Sequence, residues 1–162
     1  MATKPAEFLL RLMYSSVSAP ELTPATLTKI FEKAVRRNHR DHITGALVVN
    51  RRQNIQYIEG PAAAVRDLWA RIQADTRHHS VVQLYEQEVN GPRLFPLWPM
   101  LRGQASKQEM LALVRSAYLL ADTPTKPDWA QSIGPLMILL DGEFSYAYTD
   151  EQEDTDGNNN GK

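Results

Sequence analysis

At 162 residues the chain fits one domain with a short extension and leaves no room for two independent catalytic modules. A composition of 43% hydrophobic and 23% charged residues is that of a chain that buries a core, and zero cysteines exclude disulfides, thiolate nucleophiles, iron–sulfur clusters and cysteine-rich zinc sites together. The formal net charge of -1 divides unevenly: 150–162 carries five acidic residues against Lys162, net -4, leaving 1–149 at +3 from 17 basic and 14 acidic side chains, too mild a balance to signal nucleic-acid binding.

The apolar stretch Phe8 to Tyr14 is interrupted by Arg11 and is too short for a signal-peptide core or a membrane span, so a soluble, cytoplasmic protein without a membrane partner is expected. With apolar residues on both alternating faces, the same stretch predicts a central strand. Thr23-Pro24 supplies an N-cap and a first-turn proline, and Leu27, Ile30, Phe31, Ala34 and Val35 continue at helical spacing, predicting a helix over 24–38 with Asn38 at the end of its buried face. Ile43 to Asn50 and Gln53 to Glu59 predict an antiparallel hairpin across Asn50-Arg51-Arg52-Gln53. Gly60-Pro61 opens a second helix carrying Val65, Leu68, Trp69 and Ile72 and ending near Asp75. Val81 to Val89 predicts a fourth strand and Phe95 to Arg102 a fifth, although Pro96 and Pro99 each remove a ladder donor.

The order is β-α-β-β-α-β with an extra strand, which predicts an α+β, ferredoxin-like sandwich: both helices on one sheet face, the first and third strands adjacent at the centre. Apolar spacing over 106–121 and 128–140 predicts two further helices that either cover the opposite face or form a dimer interface. Division into a sensor-sized unit over 7–103, a helical extension over 104–149 and a disordered acidic tail over 150–162 follows.

Adjacent first and third strands bring Tyr14 and Gln56 together if both face the helices, and Asn38 enters the same layer. Buried amides left without partners cost about 1–3 kcal/mol each, so a phenol and two amides in an apolar layer require either a closed hydrogen-bond network or a polar ligand. His78-His79 is no metal pair, because adjacent side chains diverge and no third ligand is suitably spaced.

Six stretches carry a resemblance: Arg11-Leu12-Met13-Tyr14-Ser15-Ser16, Arg36-Arg37-Asn38, Ile43-Thr44-Gly45, Gln56-Tyr57-Ile58-Glu59-Gly60, Asp75-Thr76-Arg77-His78 and Phe95-Pro96-Leu97-Trp98-Pro99-Met100. In this order and spacing the chain resembles the BLUF domains, sensors of blue light using flavin, of the short type without an output enzyme. The resemblance implies a noncovalently bound flavin, FAD first and FMN or riboflavin otherwise, held between the two helices with Ile30 and Ile72 facing the ring. It implies that Asn38 bonds the ring's polar edge, that Gln56 lies between flavin and Tyr14, and that Arg71, Asp75, Arg77 and His78 lie near the ribityl and phosphate end. On illumination Tyr14 is expected to supply an electron and a proton and Gln56 to rotate or tautomerise before the radical pair recombines, giving a slightly red-shifted flavin that reverts in darkness. Trp98 and Met100 are expected to carry the signal outward to the C-terminal helices, a homo-oligomer or a light-dependent protein partner.

Four positions depart from the family pattern: Pro99 lacks a backbone donor, His42 stands where glycine is common, Asn54 replaces an apolar residue, and Arg37 occupies a variable site. Two other functions suit the same fold pattern. An acylphosphatase-like hydrolase would pair Arg11 with an asparagine, and a nucleic-acid-binding sheet would expose stacked aromatics on the face of Leu9, Met13, Ile55 and Tyr57.

Overall fold

The computed structural model describes residues 7–121, with side chains to 117. The strands are β1 (Glu7–Ser18), β2 (Thr44–Asn50), β3 (Gln53–Gly60), β4 (His78–Gly91) and β5 (Leu101–Gln104); the helices are α1 (Pro24–Arg40), α2 (Ala62–Ala74) and α3 (Lys107–Ala121). They form one five-stranded sheet in the order β4-β1-β3-β2-β5, antiparallel except for the parallel β2–β5 pair. This is the expected α+β, ferredoxin-like sandwich. The expected second C-terminal helix over 128–140 and the tail over 150–162 lie outside the described residues, as does most of the extension over 104–149.

The predicted fifth strand requires correction. Residues 95–100 are irregular, and β5 begins only at Leu101, after Pro99. With no N–H at either Pro96 or Pro99, the chain cannot extend the ladder through them. β4 is longer than its alternation suggests, because its pairing with β1 shifts register between Met13 and Tyr14 and again between Ser15 and Val17. Each shift resets the period-2 pattern that marks a strand in sequence.

Two of the helix starts carry side-chain caps, while α2 starts after Pro61 without one. Thr23 Oγ1 accepts from the Thr26 amide at 3.2 Å ahead of Pro24. At α3, Ser106 Oγ accepts from the Glu109 amide at 3.2 Å while the Glu109 carboxylate accepts from the Ser106 amide at 2.5 Å, a reciprocal capping box. The connection after α1 puts His42 at φ 57, in the left-handed region that favours glycine.

Period-2 alternation divides the core between the two sheet faces. One face carries Leu10, Leu12, Tyr14 and Ile58 against Val65, Leu68, Trp69 and Ile72 of α2. On that face α1 forms a separate cluster from Phe31 and Val35 with Met100 and Leu47. The opposite face packs Met13, Ile55 and Tyr57 beneath Met110, Leu113 and Ala117 of α3.

That opposite face also buries charge. Glu59 is 0% exposed and Arg11 5%, with Arg11 Nε 3.6 Å from Glu59 Oε2. Tyr57 donates its hydroxyl to Glu59 Oε2 at 2.8 Å, and the Phe95 amide donates to Oε1 at 2.8 Å. Burial is the largest influence on Glu59 and raises its pKa; the bonds from Phe95 and Tyr57 and the charge of Arg11 oppose it without cancelling it.

Gly45 marks where β2 meets β3 most closely: a Cβ there would lie 2.0 Å from the Tyr57 carbonyl oxygen, which no rotamer change relieves. Gly45→Ala is expected to lower the unfolding free energy by about 3 kcal/mol, the upper end of overpacking costs, measured by urea denaturation. A second expectation concerns pH. Because the folded-state pKa of Glu59 lies above its unfolded value, the unfolded state releases the proton first, and this group's contribution to stability falls as pH rises from the ordinary carboxyl range through the folded pKa. Urea titrations across that window should show the decline in the unsubstituted chain and a shallower one in Glu59→Gln; parallel curves would contradict it.

Candidate functional site

The two apolar clusters on the helix-bearing face do not merge. Between α1 and α2 they leave a cavity of about 250 Å³ whose floor is the β1–β3 pair. The register that sets Tyr14 opposite Gln56, and Gln56 opposite Leu47, makes these side chains neighbours on the floor. Asn38, in the last turn of α1, is 3% exposed and reaches the same layer.

The floor is a connected network. Tyr14 donates its hydroxyl to Gln56 Oε1, and Gln56 Nε2 donates to Met100 Sδ at 3.1 Å, a weak acceptor. Asn38 Nδ2 donates to the Pro99 carbonyl at 3.1 Å. The ring of Tyr14 lies 5.2 Å from that of Trp69 and 6.4 Å from that of His78. Burial, with a smaller contribution from the Asp75 carboxylate, pushes the Tyr14 phenol far above its ordinary range, so it is a neutral hydrogen-bond donor at any physiological pH.

The cavity walls are apolar and its rim is cationic. Ile30 and Ile72 face each other's helices across it, and Lys33, Arg37, Arg71, Arg77 and Arg102 line it against a single carboxylate, Asp75. Asp75 is already engaged by Arg77, whose Nε and amide donate to Oδ1 at 2.9 Å and whose NH2 donates to Oδ2 at 2.6 Å; those bonds hold its pKa below the ordinary carboxylate value. His78 Nε2 lies 2.6 Å from the Ile72 carbonyl, which fixes the proton on Nε2. Arg71 lies 3.3 Å from Asp67 and 3.7 Å from Asp41 through NH2, but its Nε is buried without a hydrogen-bond partner among the described residues. An unmatched buried donor at the edge of an apolar slot fits a flat, acceptor-bearing ligand such as a flavin, with the cationic rim suited to phosphate.

Tyr14, Ile30, Asn38, Gln56, Arg71, Ile72, Asp75, Arg77, His78 and Met100, all expected from sequence, line this one cavity. Trp98 does not share it: its side chain packs against the cluster beneath α3, and its carbonyl accepts from the Gly45 amide at 3.2 Å. Nor do Trp98 and Met100 share a strand, since β5 starts after both. Lys33, Arg102, Ser16 and Leu68 also line the cavity and were not anticipated as site residues; Asn54, a departure from the family pattern, is part of its wall, as is Arg37, the variable position whose side chain the resemblance allows to reach a flavin. Alternation from Tyr14 could have suggested Ser16, and the helical stripe shared with Ile72 could have suggested Leu68. Nothing local marks Arg102, whose guanidinium stands 5.5 Å from the Phe31 ring centroid.

Neither competing function has its geometry. Arg11 lies on the opposite sheet face from Asn38, committed to Glu59 and to the Pro92 carbonyl at 2.7 Å. The face a nucleic-acid-binding sheet would expose is covered by α3. Among the described residues no group of acidic and histidine side chains could hold a metal ion, and no helix is long and apolar enough to cross a membrane.

A family model described as sensors of blue-light using FAD matches residues 9–101. Photoactivated adenylate cyclase subunit beta of Euglena gracilis is 32% identical over 105 residues, 64% of this chain and 12% of that protein. The alpha subunit from the same organism is 35% identical over 77 residues, 48% of this chain and 8% of that protein. The chain thus spans about one eighth or less of the length of these curated relatives. Among solved structures, the dark state of the BLUF protein BlrB superposes with a TM-score of 0.60 at 30% identity, covering 81% of this chain and 96% of that one. Klebsiella pneumoniae BlrP1 with FMN and cyclic diGMP matches with a TM-score of 0.55 at 26% identity, covering 79% of this chain and 34% of that one. With more than half of its residues matched by the family model and its fold shared along nearly the whole of a solved BLUF protein, the chain belongs to the BLUF family of flavin-using blue-light sensors.

Proposed function

We propose that this chain is a blue-light photoreceptor in which Tyr14 and Gln56 form the switch. The observation that carries the reading is the buried Tyr14–Gln56 hydrogen bond on the floor of a slot between two helices. When bound, the flavin supplies blue-light absorption and an excited-state electron acceptor. Tyr14 is the oxidisable group: a neutral phenol loses an electron most readily when its proton can leave at the same time, and Gln56 Oε1 is already positioned to take it. Gln56 is the element that changes, because a primary amide both donates and accepts, so rotation or tautomerisation reverses what it offers to Tyr14 and to the cavity. Return of the electron and proton to Tyr14 leaves no net chemistry.

Asn38 holds the polar edge of the ring, Ile30 and Ile72 close on its faces, and Arg71 offers its unmatched Nε–H, with Arg77, His78 and Asp75 at the ribityl end. FAD is the proposed flavin, with FMN or riboflavin as the alternatives. Gln56 passes its change to Met100 through the amide–sulfur contact, and from there to the segment carrying Trp98. The sensor unit is 7–103, and the signal leaves it through the extension over 104–149 to a homo-oligomer or a protein partner in the cytoplasm, with the acidic tail over 150–162 following. The cyclase activity named for the Euglena relatives belongs to those proteins; here the proposed output is a contact and not a reaction.

Purified protein should be yellow and shift slightly to the red under blue light, reverting in darkness. Tyr14→Phe and Gln56→Leu should each retain flavin but lose the reversible shift by absorbance spectroscopy; an intact photocycle in either would overturn the switch assignment. Asn38→Ala should release flavin more readily on gel filtration, by about tenfold in affinity for a lost buried hydrogen bond. Chromatography of the acid-released flavin should give FAD, and recovery of FMN or riboflavin without FAD would overturn that choice.

A further inference from the structure

The connection between β4 and β5, residues 92–100, has neither helix nor strand of its own. Even so, Phe95 and Met100 are 3% and 4% exposed, and they face opposite sides of the sheet: Phe95 sits in the cluster beneath α3, Met100 against Gln56.

Besides the bonds of the Arg93 side chain to Glu7, Thr44 and the His42 and Glu59 carbonyls, and that of the Gly45 amide to the Trp98 carbonyl, four further hydrogen bonds fall into two groups. At the rear, the Pro99 carbonyl accepts from Asn38 and Met100 Sδ accepts from Gln56, both at 3.1 Å. At the front, the Pro92 carbonyl accepts from Arg11 at 2.7 Å and the Phe95 amide donates to Glu59 Oε1 at 2.8 Å. Gln56 and Glu59 belong to the same strand and point to opposite faces, so β3 grips the connection at both ends.

The two grips differ in strength. The amide–sulfur contact is weak and exchangeable. Glu59 is fully buried, accepts also from Tyr57 and faces Arg11, and breaking a buried pair by removing one partner is strongly destabilising. The front is therefore the more firmly held end, and the Met100 contact with Gln56 is the one suited to exchange.

We propose that Glu59 is a positioning residue for the photocycle: by fixing Pro92 and Phe95 together with Arg11, it sets where the Met100 sulfur meets Gln56 and hence how fast Gln56 returns to its dark arrangement. This rests on the light-sensing reading above. Glu59 touches neither the cavity nor Tyr14; its effect travels along the four residues between Phe95 and Met100.

The test is dark-recovery kinetics together with hydrogen exchange over 92–100, on the full chain loaded with flavin. Glu59→Gln should retain flavin and the red shift while recovery accelerates about fivefold or more and exchange at Phe95 to Met100 increases. Tyr57→Phe keeps the ring but removes one donor to Glu59, so it should move both readouts the same way by less, and it serves if Glu59→Gln does not fold. Ile55→Val loosens the same face of β3 without touching the anchor and should leave recovery unchanged. Recovery within twofold of the unsubstituted chain in every folded variant of Glu59 and Tyr57, or an equal acceleration in Ile55→Val, would overturn the proposal. If the unsubstituted chain shows no light-induced shift, the light-sensing reading fails, and unchanged exchange in Glu59→Gln would separately overturn the anchor itself.

Discussion

Pairing of β1 with β3, in the register that sets Tyr14 opposite Gln56 and Arg11 opposite Glu59, is the constraint on which both halves of the molecule depend. A slip of one residue would exchange the faces of every side chain on the strand, placing the carboxylate in the slot and the amide under α3. Apolar neighbours oppose such a slip from both sides, since Leu12 and Ile58 pack under α2 while Met13 and Tyr57 pack under α3. Because both faces are buried, register is enforced more strongly than in a sheet with one wet face. The polar pairs thus take their positions from the hydrophobic ones.

Two polar systems share this strand pair and behave differently. On the helix-bearing face the groups are neutral, their partners are weak or exchangeable, and the helices stand apart. On the other face the groups are charged, multiply bonded and closed over by apolar packing. The first arrangement suits rearrangement and the second resists it. Irregular backbone between β4 and β5 connects the two, through the sheet edge where proline excludes a ladder.

Much of this was legible in the amino-acid order. Thr23-Pro24, Gly60-Pro61 and the alternation from Leu9 to Tyr14 locate elements by purely local chemistry, and the right-handed crossover rule then brings Tyr14 beside Gln56 without any knowledge of contacts. Asn38 was accessible as the four-residue continuation of an apolar row. The start of β5 was not, because Leu97 to Leu101 keeps a strand-like composition while Pro99 decides the hydrogen bonding. The full length of β4 was hidden by its two register shifts. Glu59 was visible as part of a motif but not as a buried charge, since its partners Arg11 and Phe95 lie far away along the chain and only the folded sheet joins them. Lys33 and Arg102 were hidden for the same reason: a cationic rim assembled from separate elements has no spacing to read.

The contrast between two connections, the one from β4 to β5 and the one from β2 to β3, also bears on engineering. Residues 92–100 look like a surface connection that would accept a tag or an inserted domain, yet tethers at Pro92, Phe95, Pro99 and Met100 make any change in its length a displacement of the slot floor. At the hairpin turn Arg51 and Arg52 both expose their side chains, Arg51 sits at φ 53, and the Arg52 carbonyl accepts from the Ser18 amide at 2.8 Å, at the end of β1 beyond Tyr14. Grafting a reporter or splitting the chain into complementing fragments therefore belongs at that turn, where the backbone can be lengthened without moving either grip of β3.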